Sequence, residues 1–175
     1  KRTGVIIENP SFYPKLTVKQ NLEYYRLQRG IPGEINIDKI LKEDDLLEAK
    51  KKKFDNLSLG MKQRLGLALA MLTEPELLIL DEPINGLDPS GIIEIRNLLL
   101  KLNKEKNITI IISSHILSEL SNIATCYGFL NKGKLVEELS AKELEEKCKS
   151  YLEIKVTNAK KLCALLEEKL GYMNY

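Results

Sequence analysis

Short apolar runs alternate with longer amphipathic stretches along most of this 175-residue chain. Thr3–Ile7, 77–80 and 108–112 are rich in Val, Ile and Leu, with little alternation of polar and apolar positions. Continuous apolarity predicts strands of a parallel sheet, buried on both faces by helices. Between them, apolar residues recur three and four apart, the spacing of one helix face. Thr17 is a good N-cap for a helix over Val18–Gln28, which Gly30 and Pro32 would end. Ile37, Ile40, Leu41, Leu46 and Leu47 predict further helix in a charged stretch. Leu65, Ala68, Leu69 and Leu72 share one face of a helix over 60–72, and Ile92, Ile95, Leu98, Leu99 and Leu102 one face of a helix over 90–104. A helix over 116–125 closes the series.

The pattern then changes. Runs at 126–130 and 135–138 flank Asn131-Lys132-Gly133-Lys134, a hairpin turn. Ser140 and Glu143 form a capping box for a helix reaching about residue 149. Residues 151–157 alternate like a half-buried strand, and 159–170 form an amphipathic helix ending at Gly171. Two parts are therefore expected: an α/β domain over 1–149 and, over 150–175, the start of an appended α+β domain. The chain does not begin with Met, and a strand begins almost at once, so both ends are expected to cut through a fold.

Composition narrows the function classes. A net charge of +2 offers no broad basic field for nucleic acid. No apolar run approaches the roughly 20 residues that cross a bilayer, so any membrane connection must come through a partner. Three cysteines without a CxxC pair suggest reduced thiols, and a single histidine, His115, rules out a His-cluster metal site made by this chain alone. The run of four lysines from Lys50 to Lys53 reads either as a solvated helix end or as a phosphate or lipid-headgroup contact.

The chemistry gathers at strand ends. Asp81-Glu82 follows the apolar run at 77–80 and is stopped by Pro83. It falls at the carboxyl edge of the sheet, where open α/β sheets bind ligands. Asp81 there can face a Mg²⁺ shell and Glu82 an attacking water. His115, in Ser113-Ser114-His115, follows the next strand and ends at the same edge. It can hold a terminal phosphate and orient water, although a lone histidine after a strand is as readily structural. Ser58 and Gly60 precede the 60–72 helix, whose unpaired N–H groups make a phosphate seat. Ser58 would add a hydroxyl donor there, or serve as a plain N-cap. Asp88, in Asn85-Gly86-Leu87-Asp88-Pro89, either starts a turn or acts at a fixed offset from the Asp-Glu pair.

Leu57-Ser58-Leu59-Gly60-Met61-Lys62-Gln63-Arg64, Leu77-Leu78-Ile79-Leu80-Asp81-Glu82-Pro83, Gly86-Leu87-Asp88-Pro89 and His115 stand in the order and spacing of an ABC-type ATPase. The chain resembles that family over residues 3–140: glutamine-loop region, helical subdomain (about 14–72), signature, Walker B strand, D-loop and H-loop. The resemblance implies a P-loop NTPase (RecA-like) core, here incomplete, because no Gly-x-x-x-x-Gly-Lys-Ser/Thr loop occurs. Two departures matter. Leu59 and Met61 stand where glycine and glutamine are usual in the signature, and Glu8 stands at the glutamine position in Ile6-Ile7-Glu8-Asn9-Pro10. Both are similar to the bacitracin- and lantibiotic-resistance branch.

By that resemblance Asp81 and Glu8 support Mg²⁺, indirectly or through water. Glu82 is the general base and His115 the switch histidine. Ser58, Gly60 and Asp88 meet the nucleotide held by the other subunit of a head-to-tail dimer. The implied protein is an ATP-binding, ATP-hydrolysing subunit at the cytoplasmic face of the cell membrane. It would power peptide-antibiotic export through a separate permease subunit, which the region from Phe12 to Tyr25 would face. Two alternatives stay open: a catalytically incomplete chain that only completes a partner's site, and a soluble ABC ATPase without a transport role. No nucleic-acid partner is expected.

Overall fold

The computed structural model describes residues 2–7, 11–33, 36–148 and 162. The chain divides into two compact units, 1–124 and 125–175.

The first unit is built on a three-stranded parallel sheet in the order β1 (Thr3–Ile7), β2 (Leu77–Asp81), β3 (Thr109–Ser113). Register is continuous across it: Ile6 pairs with Leu80 and Leu80 with Ile112, while Ile7, Asp81 and Ser113 form the last row. Helix α3 (Leu59–Met71) packs on β1 and helix α4 (Pro89–Lys106) on β3. Gly4 permits the first approach, since a Cβ there would lie 2.7 Å from a Leu78 methyl and 3.0 Å from the Ala70 carbonyl oxygen. Leu78, Leu80, Leu65, Leu67, Ile95, Leu99 and Leu102 are all buried beneath these helices. Burying each such side chain contributes about 1.5–3 kcal/mol.

The expectation of strands covered on both faces is corrected here. Val5, Ile7, Ile79 and Ile111 project from the opposite face and are 50, 71, 37 and 54% exposed. The burial therefore alternates along β2 and β3 although the sequence does not. The physical reason is that the helices packed on these strands, among the described residues, lie on the Leu78–Leu80 side.

Helices α1 (Val18–Gln28) and α2 (Ile37–Glu43) pack together and against α3. Thr17 caps α1 as expected, and its exchange with Gln20 completes a capping box. The backbone carbonyls of Lys50 and Lys52 accept from the N–H groups of Lys19 and Val18, so the lysine run lies along the start of α1. Buried Asn21 fastens the entry loop. Its amide donates to the carbonyls of Tyr13, Leu16 and Thr17, and its oxygen accepts from the Tyr13 N–H at 2.8 Å.

Several bounds shift for local reasons. Helix α3 starts one residue early, at Leu59, because Ser58 takes the cap. Helix α4 runs to Lys106 and ends on left-handed Asn107. The stretch expected as a helix over 116–125 is a single turn, α5 (Leu117–Leu120). Here Ser121 and Asn122 side chains both donate to the Ser118 carbonyl, in competition with the helix ladder.

The second unit opens with an antiparallel hairpin, β4 (Cys126–Asn131) and β5 (Lys134–Ser140), followed by α6 (Ala141–Cys148). Lys132 and Gly133, both at positive φ, make its two-residue turn. The Ser140–Glu143 capping box forms in both directions, at 3.2 and 2.8 Å. The strand expected at 151–157, the helix expected at 159–170 apart from Leu162, and the domain boundary expected at 149/150 lie outside the described residues.

Candidate functional site

The sheet register creates the site. Asp81 ends β2 and Ser113 ends β3 directly opposite, so adjacent parallel strands deliver both side chains to one edge. The Ser113 hydroxyl donates to Asp81 Oδ1 at 2.5 Å, and its oxygen accepts from the Glu82 N–H at 3.0 Å. Glu82 itself has φ +47, in the left-handed region. A non-glycine residue there is uncommon and turns the chain sharply at the strand end. That turn separates the directions of the two carboxylates. Asp81 goes to Ser113, whereas Glu82 Oε1 lies 2.9 Å from His115 Nδ1. The second oxygen, Glu82 Oε2, is buried without a partner in the described structure. An unsatisfied carboxylate oxygen at a strand edge is an acceptor position for a water or bound ligand.

Asp81, Glu82 and His115 thus come together as the sequence indicated. Ser113 was not among the candidate residues, yet it holds both halves of the acidic pair. No local signal marked it: the pairing of Ser113 with Asp81 follows from the register between the strands, and both lie one residue beyond the apolar runs at 77–80 and 108–112.

The signature segment and D-loop form a second group. Ser58 is the N-cap of α3, its Oγ accepting from the Met61 N–H at 3.3 Å. The cap reading is therefore realised, and the hydroxyl proton is left to donate elsewhere. Gly60 is the second residue of the helix. Asp88 occupies the N-cap position of α4, ahead of Pro89, but its carboxylate makes no cap hydrogen bond. It leans over Gly91, where a Cβ would come 3.0 Å from Asp88 Oδ1. Ser58 and Asp88 are both exposed. Behind them Arg64 pairs with Glu94, linking α3 to α4. Glu8 lies outside the described residues. No cluster of three or more His, Cys, Asp or Glu side chains arranged for a metal is present among the described residues.

A family model described as ABC transporter matches residues 1–85. The bacitracin transport ATP-binding protein BcrA of Enterococcus faecalis is 48% identical over 166 residues, which take in 95% of this chain and 54% of that protein. The chain belongs to the ABC ATPase family. BcrA of Bacillus licheniformis is 45% identical over 175 residues, 100% of this chain and 57% of that protein. These relatives carry the branch name to which Leu59, Met61 and Glu8 pointed. An ABC ATPase fold is equally plain from solved structures. The cbiO1 protein of Clostridium perfringens, part of the ABC transporter complex cbiONQ, superposes with a TM-score of 0.72 at 25% identity, over 97% of this chain and 64% of that one. The chain spans about half the length of the curated relatives it matches. No helix among its described residues is long and apolar enough to cross a membrane.

Proposed function

We propose that this ABC ATPase segment belongs to the ATP-hydrolysing subunit of a transporter that exports a peptide antibiotic through a separate permease. The observation that carries the catalytic part is the strand-edge cluster, with Glu82 against His115 and Asp81 against Ser113. The BcrA relatives support the transport part.

In this reading Glu82 is the general base. Its Oε1 is oriented by His115, leaving Oε2 to accept a proton from the attacking water. His115 would also meet the terminal phosphate. Asp81, fixed by Ser113, and Glu8 would hold Mg²⁺. The donor set fits, because carboxylate oxygens and water are the ligands that ion prefers. When bound, Mg²⁺ neutralises phosphate charge. Ser58, with its free hydroxyl proton, Gly60 and exposed Asp88 act on the nucleotide of a second ATPase subunit, arranged head to tail. The protein works at the cytoplasmic face of the membrane, with the Phe12–Tyr25 region turned to the permease.

The test is Glu82→Gln in the full-length protein. Hydrolysis is expected to fall by about 10³-fold, within the range for losing a positioned base, while ATP binding persists. Turnover at the original rate would remove Glu82 from this role.

A second reading is favoured by one feature of the sequence: the 175 residues contain no Gly-x-x-x-x-Gly-Lys-Ser/Thr loop. On that reading this chain alone only completes a partner's site through Ser58, Gly60 and Asp88. Titration of the chain with ATP decides it, since micromolar binding contradicts it.

A further inference from the structure

We propose that Leu59 is a positioning residue that holds the 85–88 loop in place through a contact with Gly86. Two exposed segments cross at this point. Gly86, at φ +75, lies in the loop between β2 and α4. A Cβ there would come within 3.3 Å of the Leu59 Cδ2 methyl. One residue further along each segment the relation is reversed: a Cβ at Gly60 would lie 3.9 Å from Leu87 Cδ2. Each segment therefore lays a leucine over the other's glycine.

Leu59 does not serve the core. It is 40% exposed, whereas Leu65, Leu67 and Ala68 further along α3 are buried. From within, the loop is anchored by Leu87, half-buried against the core, and by few backbone bonds. The Asn85 N–H bonds to the Glu82 carbonyl at 3.1 Å and the Leu87 N–H to the Ile84 carbonyl at 3.3 Å. Both are single-turn bonds in an exposed segment, the kind that opens locally. Leu59 adds an apolar contact from outside the turn. It also joins Ser58 and Gly60 mechanically to Asp88, so displacement at the start of α3 is transmitted to the loop. Glycine at position 59 would leave Gly86 uncovered and reduce the crossing to Leu87 over Gly60. Gly86 accordingly answers two demands at once, a left-handed backbone and room for a leucine methyl.

The contact stands on geometry alone. Its consequence for turnover rests on the ATPase reading, and the two are tested separately. In Leu59→Ala, hydrogen exchange at the Asn85 and Leu87 amides is expected to accelerate roughly fivefold, as loss of a half-exposed apolar contact would give. Exchange at Leu99, in the core of α4, stays unchanged, which separates loop opening from general destabilisation. Leu59→Met, which keeps an apolar chain of similar reach, restores the slow exchange. In the full-length protein Leu59→Ala is expected to lower kcat several-fold with the KM for ATP unchanged, and Leu59→Met to recover kcat. Unchanged exchange at Asn85 and Leu87 would overturn the contact's role in the loop. An unchanged kcat, or a change confined to KM, would overturn its role in the reaction. Absence of ATP turnover in the unsubstituted full-length protein would instead sink the ATPase reading and leave the exchange result to decide the contact.

Discussion

The strand-edge cluster and the signature–D-loop pair are both made from exposed or half-exposed residues, yet they are wired in opposite ways. At the strand edge, Asp81, Glu82, Ser113 and His115 bond to one another at 2.5–3.0 Å, and among them Glu82 Oε2 is the buried oxygen left without a partner. In the other group Ser58 spends its oxygen on its own helix, and the Asp88 carboxylate caps nothing. The first region is organised within the chain. The second is held by backbone turns, a reciprocal leucine–glycine crossing and the Arg64–Glu94 pair behind it, and the Ser58 hydroxyl proton and the Asp88 carboxylate are kept for something outside. Preorganisation suits groups that must act at a fixed angle on a reacting water. Spare donors and acceptors suit groups that close on a partner.

The largest expected effect is the loss of hydrolysis in Glu82→Gln. The comparison breaks if Asp88→Asn is equally damaging in a chain that cannot pair with a second subunit, because Asp88 should matter only across an interface. A pH effect on folding would blur such measurements, and its main source lies in neither region. Asp44 is buried at the end of α2, and its two carboxylate oxygens lack partners in the described structure. Burial, with repulsion from Glu43 and Asp45, pushes its pKa up to about 8 against the pull of Lys106 and Lys101. The folded chain therefore keeps a proton that the unfolded chain has lost between about pH 4 and pH 8. Stability from this group is full below that window and declines as pH rises through it. Asp44→Asn is expected to flatten the slope and to stabilise the chain at neutral pH by on the order of a few kcal/mol. Denaturant melts at pH 5 and pH 8 read this directly, and an unaltered slope would contradict it.

Ser113→Ala sharpens the contrast from the ordered side. It removes the donor to Asp81 and the acceptor for the Glu82 amide, and turnover is expected to fall about tenfold, the scale for an orienting group behind a ligand. Gly91→Ala probes the open side and should be mildest. Its Cβ would press on Asp88 at 3.0 Å, so a turnover loss of only about two- to threefold is expected if the exposed carboxylate can swing aside. A loss matching that of Ser113→Ala would show that Asp88 is as rigidly held as Asp81.

Much of this was legible in the residues. Thr17, Ser140 and Glu143 announced their caps because capping depends on residues three apart in sequence. Asp81, Glu82 and His115 were legible because each follows a strand that the apolar runs already marked. Ser113 was missed because its partner is set by register between strands, which no local pattern displays. The open sheet face was missed for a related reason. The run at 77–80 is apolar at every position, but burial of Ile79 depends on what else packs there. The helix expected over 116–125 failed because Ser118, Ser121 and Asn122 offered the backbone a competing set of bonds.

The lysine run carries a practical consequence. Lys50 and Lys52 hold α1 with carbonyl oxygens, and Lys50 also reaches Asp38 with its ammonium at 2.8 Å. The side chains of Lys51, Lys52 and Lys53 are exposed and are given no such task among the described residues. Any residue except proline supplies the same main-chain atoms, so these three positions tolerate replacement by reactive or fluorescent groups. With the exposed thiols of Cys126 and Cys148 and the third cysteine, Cys163, first replaced, a dye attached through Lys51→Cys would ride beside the start of α1 and report on whatever comes to rest against it.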